Sequence, residues 1–299
     1  MLLACFVILH YRTSKETMRC VDSLLNLRGI DSCMILIYDN GSQDGSGELL
    51  KAKYSTNKRI KVIIDRERNG FSRGNNKAYQ IARKFSVKYL ILSNNDIVIK
   101  DKKFLSKLNQ IDENMFQVVG PDIYAPMVSE HQSPLYPVYP ELNSVEKDVK
   151  IYKERLSDLN YTVEWEKRRL KKNCIKKYIP SFIISMIRLI VGNKKSNDWN
   201  NKIINPVLFG AFLIFTKSFV NDNNEVFAPE TQFYYEELIL AERCRRLQYN
   251  TLYSPELSVE HMHGQSTMKT YEELSDYVRF KYTNLIDSFN IYKEYRERP

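Results

Sequence analysis

The chain has 299 residues, 43% hydrophobic, 27% charged and 12% aromatic, with a mean hydropathy of −0.43. That aromatic fraction excludes a disordered or collagen-like chain, and a chain of this length can bury roughly 75% of its unfolded surface without a disulfide or metal staple. The five cysteines (Cys5, Cys20, Cys33, Cys174, Cys244) lie far apart with no CxxC pair, which excludes a zinc ribbon, an iron–sulfur cluster and a dithiol redox centre. They read as reduced, buried thiols of a cytosolic protein. The opening Met1–Leu9 is apolar but lacks a basic n-region and a small-residue cleavage site, so it reads as a buried first strand. The formal net charge is +9, and the stretch from Lys150 to Lys202 carries all of it, with 14 Lys and Arg against 5 Asp and Glu. Such a segment seeks nucleic acid, anionic lipid or an anionic substrate.

In chain order, Phe6–Leu9 predicts a strand and Thr13-Ser-Lys-Glu16 has the spacing of a capping box. Met18, Val21, Leu24 and Leu25 then recur at helical intervals. Met34–Tyr38, Ile60–Ile64 and Tyr89–Leu92 predict three more strands, with a helix from near Gly74 through Ala78, Ile81 and Ala82 before the last. This alternation predicts an α/β fold, a mainly parallel sheet with helices on both faces. Ligands of such sheets bind at the carboxyl ends of the strands, here after Tyr38, Ile64 and Leu92. Four prolines between Ala125 and Pro140 break regular structure. Residues 141–204 form the basic insert, expected as two helices, and Val207–Phe215 resumes the sheet. An acidic, aromatic helix is expected from Phe233 to Leu247, a short strand around Ser258–His261, and an amphipathic helix or helical pair from Thr270 to Arg298. The expected divisions are 1–125, a Pro-rich loop with the basic insert over 126–204, a second half of the sheet domain over 205–269, and a helical tail over 270–299.

Five clusters carry the types of residue that chemistry needs. In Asp39-Asn-Gly-Ser-Gln-Asp44-Gly-Ser46 a strand-end carboxylate can accept from a nucleobase or ribose while the glycines admit backbone to a ligand; the alternative is a β-to-α turn with a helix cap. A dinucleotide fingerprint fails there, because Gly45-Ser-Gly47 would need a glycine at Leu50, and no GxxxxGK exists, which disfavours hydride transfer and P-loop chemistry. Arg68-Asn-Gly-Phe-Ser-Arg-Gly-Asn-Asn76 offers amides at a helix N-terminus for phosphate or ribose, or is a turn and cap. Asn94-Asn-Asp96 ends a strand with a carboxylate suited to a hard divalent cation, or is a turn. Glu236-Glu237 opens a helix, where the dipole favours negative charge, and either carboxylate could act as a general base. His261 and His263 stand two apart, on one face of a strand, as metal ligands or as structural histidines.

The order of these clusters resembles the inverting family 2 glycosyltransferases of the GT-A type, particularly bacterial enzymes that build rhamnose-containing or capsular polysaccharides. Their apolar first strand and polar-aromatic loop are matched by Val7-Ile-Leu-His-Tyr11, and their D-N-x-S-x-D-x-S loop by Asp39 to Ser46. N-x-G-F-x-x-G-x-N is matched by Asn69, Gly70, Phe71, Gly74 and Asn76, and L-x-N-x-D by Asn94 and Asp96. The F-x-Y-x-E-D-x-D-L-x-x-R helix is matched by Phe233, Tyr235, Glu236, Glu237, Leu240 and Arg243, and V-x-H by Val259 and His261. The matches span roughly residues 3–125 and 205–268. The resemblance implies a GT-A Rossmann-like fold with a nucleotide-sugar-binding half over 1–125 and an acceptor half over 205–269. It implies that Asp39 contacts the base, with His10, Tyr11, Ser42, Asn69, Arg73, Asn76 and Asn95 completing the donor nucleotide site. Asp96 and His261 would hold a divalent cation, Mn²⁺ or Mg²⁺, and Glu237 would deprotonate the acceptor hydroxyl, with Glu236 as the rival base. Three departures stand out: Asn94 where many relatives have Asp, Glu237 where Asp is commoner, and Ile239 where the helix motif has its second Asp.

The implied reaction moves a sugar from a UDP- or dTDP-linked donor to a glycan or polyprenyl-linked acceptor, by one in-line displacement with inversion, at the cytoplasmic face of the membrane. Competing readings are a nucleotidyltransferase, which should carry a better basic loop than Tyr11-Arg-Thr-Ser-Lys15, and a nucleic-acid-binding protein using Lys167-Arg-Arg-Leu-Lys-Lys172, which lacks any groove-reading motif. No nucleic-acid partner is expected. Lys167–Lys195 contains an apolar stretch too short and too interrupted to span a bilayer, and with its flanking lysines it suits an interfacial helix; the alternative is a helix packed on the protein's own core.

Overall fold

A computed structural model describes residues 1–176, 198–262 and 271–298. The strands β1 (Leu2–His10), β2 (Cys33–Asn40), β3 (Ile60–Asp65) and β4 (Val87–Asn94) run parallel in the order β3-β2-β1-β4. Their sequences are apolar without alternation because both faces are covered. In β1, Phe6 and Ile8 face α1 (Ser14–Leu25) and α2 (Ser46–Lys53), where Cys20, Val21, Leu24 and Leu50 join the same core. Cys5 and Val7 face the other way, toward Ala78, Tyr79 and Ala82 of α3 (Gly70–Ala82). The α3 helix starts four residues before its expected point, at Gly70.

Beyond β4 the sheet mixes directions. A two-residue strand, β5 (Ile97–Val98), precedes α4 (Phe104–Leu108), then β6 (Val118–Ala125), β7 (Glu130–His131), β8 (Ile203–Ile204), β9 (Phe212–Thr216) and β10 (Thr251–His261). The order continues β4-β9-β6-β10-β5, with β9 antiparallel to β4 and β6, and β6 parallel to β10. Sequence reading has no strand over Val118–Ala125, since Gly120-Pro121 interrupts the run and proline cannot donate to a ladder. The sheet accommodates it in two ways: β9 pairs only with Val118 and Val119, and β10 shifts register between Ser254 and Ser258, opposite Pro121 and Asp122. Conversely, only the end of the apolar run Val207–Phe215 is strand; Val207 makes a single bridge to Tyr136.

The remaining helices are α5 (Leu142–Ser157), α6 (Leu159–Lys176), α7 (Lys217–Asp222), α8 (Glu236–Arg246) and a single long α9 (Leu274–Glu297). The two helices of the insert are as expected, and they pack on the protein itself. Val145 and Val149 of α5 share a core with Phe289 and Tyr292 of α9. Glu166 of α6, fully buried, pairs with Lys281 at 2.7 Å and Arg169 at 2.8 Å. Most of the expected interfacial segment Lys167–Lys195 lies outside the described residues, among which no helix is long and apolar enough to cross a membrane. Cys5, Cys20, Cys33 and Cys244 are buried free thiols, and burial pushes Cys5, Cys20 and Cys244 up to about 12.

Candidate functional site

A cleft of about 230 Å³ opens at the carboxyl ends of β1, β2 and β4, lined there by Tyr11, Asn40 and Asn94 to Asp96. Arg68, Gly70 and Phe71 close one side as α3 begins; Phe233, Tyr234 and Glu236 close another as α8 begins, and His261 contributes from the end of β10. The topology makes this meeting compulsory. Asp96 directly precedes β5, β5 pairs antiparallel with β10, and Ile97 stands opposite His261.

Asp96 Oδ1 lies 3.1 Å from His261 Nε2, and His261 Nδ1 lies 2.7 Å from Gln132 Oε1. If Nδ1–H donates to that amide oxygen, the lone pair of a neutral ring is on Nε2, aimed at a carboxylate oxygen. Two acceptors so placed fit a cation that both can ligate, and an imidazole whose other nitrogen is hydrogen-bonded is the usual form of a metal-bound histidine. Among the described residues no group of three His, Cys, Asp or Glu gathers, so this pair fits a cation whose remaining ligands come from phosphate and water. His263, the other half of the expected histidine pair, lies outside the described residues.

Tyr234 and Tyr235 both adopt left-handed backbone, with φ of 69° and 65°, sparsely populated for non-glycine residues. The turn they make brings both carboxylates of α8 close to the cleft. Glu236 lines it, is only 7% exposed, and its Oε2 has no hydrogen-bond partner among the described residues. Glu237 Oε1 accepts from Gly210 N–H at 3.1 Å, and a Cβ at position 210 would stand 2.8 Å from that oxygen and push the carboxylate aside. The neighbouring Phe209 ring is 6.2 Å from that of His261, while Glu237 itself is not on the cleft lining. Burial raises the affinity of both carboxyls for a proton. The charge of Glu237 raises Glu236 further, while backbone N–H groups, Gly210 among them, oppose the rise at Glu237.

Of the residues expected to contact a donor nucleotide, Tyr11 and Asn95 line the cleft. Tyr11 carries the Arg68 and Arg12 guanidinium groups at 4.8 and 5.1 Å from its ring centroid, a cation–π arrangement that holds positive charge beside the cleft. The other expected donor contacts are not on the cleft lining, and each has a partner within the protein. His10 is fully buried between Thr17 and Ser46, and burial lowers its pKa to about 4. Asp39 accepts from the Ser42 backbone N–H and hydroxyl, with its other oxygen against Gly47, and Ser42 in turn accepts from Arg12 N–H. Asn69 donates to Asp65 and to the Glu67 carbonyl.

Arg73 and Asn76 are held by the backbone of a distant segment. Arg73 donates to the Pro229 carbonyl at 2.8 Å, and Asn76 bonds the backbone of Val226 and Phe227. With Phe71 N–H on the Gln232 carbonyl and Ser72 on Thr231, these bonds stitch α3 to the segment leading into α8. Of the residues in and around the cleft, sequence reading did not single out Gln132 or Gly210, and it quoted Asn40 and Arg68 within motifs without giving either a role.

The sheet order, the antiparallel β9 and the cleft at the strand ends define a GT-A fold. Solved structures similar to it include the mannosyltransferase PcManGT from Pyrobaculum calidifontis in complex with GDP-Man and Mn²⁺, at a TM-score of 0.54 and 8% identity over 97% of this chain and 73% of that one. GalNAc-T7 with UDP, GalNAc and Mn²⁺ matches at 0.56 and 12%, over 89% and 45%, and residues 1–349 of S. aureus TarS at 0.53 and 11%, over 97% and 71%. The chain belongs to glycosyl transferase family 2, whose model matches residues 5–187. The glycosyltransferase GlyG of Streptococcus pneumoniae serotype 4 is 25% identical over 114 residues, which are 38% of this chain and 36% of GlyG, so the match spans about a third of that relative.

Proposed function

We propose that the protein transfers a sugar from a nucleoside-diphosphate sugar to a hydroxyl of a glycan or polyprenyl-linked acceptor, with inversion, in bacterial cell-surface polysaccharide synthesis. The observation that carries this reading is the convergence of Asp96 and His261 in a cleft that Glu236 also lines. Two of the similar structures were solved with Mn²⁺ and with GDP-Man or with UDP and GalNAc, which supports a nucleotide-sugar donor and a divalent cation, Mn²⁺ or Mg²⁺, held here by Asp96 and His261. When bound, such a cation supplies positive charge to the departing diphosphate.

The chain's own residues do the rest. Arg68, stacked on Tyr11, adds a second cation toward the phosphates. Glu237 takes the proton from the acceptor hydroxyl as the new bond forms, with Glu236, which lines the cleft, as the rival base. Residues 1–125 serve the donor and 205–269 the acceptor. The positive insert and the apolar stretch Tyr178–Val191 support peripheral contact with the cytoplasmic face of the membrane, where a lipid-linked acceptor is met.

The test is a panel of nucleotide sugars with Mn²⁺, scored by release of free nucleoside diphosphate and by the anomeric configuration of the product. Release with one donor and an inverted product is the expected result. Binding of nucleic acid in a filter assay with no release from any donor would overturn the reading, and a retained configuration would overturn the single displacement.

A further inference from the structure

We infer that a second pocket, on the face of the sheet opposite His261, binds a neutral sugar unit of a glycan; that this glycan is the acceptor or product of transfer rests on the function proposed above. The pocket holds about 400 Å³, within the usual range of small-molecule sites. It lies over the ends of β6 and β10, where Ser258 stands opposite Asp122 and Glu260 opposite Tyr124 in the parallel register. Alternation separates the two faces of these strands. Ile123 and Val259 belong to the core on one face, and His261, two residues beyond Val259, shares that face. Asp122, Tyr124, Ser258 and Glu260 therefore project from the other. A parallel pair of strands is normally covered by apolar groups on both faces, so a polar, concave face on this pair is a place for a ligand.

The walls are fixed before any ligand arrives. His131 Nδ1 lies 2.7 Å from Asp122 Oδ1, and its ring stacks on Trp199 with centroids 3.8 Å apart and planes 5° from parallel. Trp199 is tethered in turn, because the hydroxyl of buried Tyr253 donates to its carbonyl at 2.7 Å. The Tyr124 ring completes the aromatic wall, 5.0 Å from that of His131. Preorganised rings of this kind lower the entropic cost of binding. The polar groups are the buried Asp122 and the pair of Lys100 Nζ with Glu260 Oε1 at 2.6 Å. Lys100 is well exposed, so that ion pair opens at little cost.

This chemistry selects the ligand. Two carboxylates against one lysine leave no surplus positive charge for a phosphate or a nucleotide, even with His131 protonated. An apolar chain would leave Asp122 and Glu260 without partners. A pyranose satisfies every group: its C–H face packs on an aromatic ring, and its hydroxyls donate to carboxylates and accept from an ammonium.

The experiment is saturation-transfer NMR on the full chain with a panel of methyl glycosides of glucose, galactose, mannose and rhamnose, with and without excess UDP and Mn²⁺. Expected is transfer to at least one glycoside that persists when UDP is added. Ser258→Trp, which fills the pocket from an exposed strand position, should abolish it, and Lys100→Met should weaken affinity about 10-fold through loss of a charged hydrogen bond. UDP binding should be unchanged in both variants. No transfer to any glycoside, displacement by UDP, or transfer indifferent to Ser258→Trp would each overturn the proposal. Glycoside binding here by a protein that releases nucleoside diphosphate from no donor would refute the proposed function and support this site.

Discussion

Replacing Asn76 by alanine would cut three hydrogen bonds at one stroke. Its Oδ1 accepts from the N–H groups of Val226 and Phe227 at 3.0 Å each, and its Nδ2 donates to the Phe227 carbonyl at 2.8 Å. The residue is 4% exposed, so water does not replace these partners. Each buried backbone group left unpaired costs about 1–3 kcal/mol. With partial relaxation the three together should cost about 3–5 kcal/mol, at the upper end for a single substitution. For a chain this long, at about 2 °C per kcal/mol, the melting temperature should fall by about 6–10 °C. Thermal denaturation followed by circular dichroism measures this, and donor affinity, measured well below the transition, should stay at the wild-type level. A small shift in melting temperature together with a large loss of nucleotide affinity would refute the reasoning and put Asn76 back in the donor site.

Glu237→Gln should lower transfer at least about 100-fold with donor affinity intact, and Glu236→Gln should cost less; the reverse order, read from transfer rates of the two variants, would make Glu236 the base. His10, held neutral by burial, has a folded pKa of about 4 against 6.5 unfolded, so its contribution to stability is present above pH 6.5 and is lost as pH falls toward 4. Urea midpoints across that window should fall more steeply for the wild type than for His10→Gln; parallel curves would contradict this.

The strands of the first half were legible because a parallel sheet covered on both faces leaves runs such as Cys5–Ile8 and Tyr89–Leu92 with few other readings. Asp96 and His261 were picked out for a related reason, each being a polar residue at or just past the end of a strand. The partners of Asn76 and Arg73 were not, because they lie on a segment near residues 226–232 that only the folded chain brings to α3. Locally, an amide at a helix N-terminus looks the same whether its target is a ligand or another stretch of backbone. β6 was hidden by Gly120-Pro121, whose cost is absorbed by a register shift in a different strand. Gln132 sends no signal of its own: its place beside His261 follows from the two-residue strand before it and the anchored histidine next to it.

The buried cysteines turn the protein into a clock for its own opening. A disulfide reagent attacks thiolates, and Cys5, Cys20 and Cys244 hold their protons to about pH 12. Their labelling rates therefore measure how often the surrounding structure breathes rather than how reactive sulfur is. The thiols also sit in different places. Cys20 and Cys33 belong to the layer under α1, whereas Cys5 and Cys244 belong to the opposite layer, which joins β1 to α8. On a background lacking Cys174, mass spectra of partly labelled protein would show whether the two sides of the sheet loosen together or one before the other.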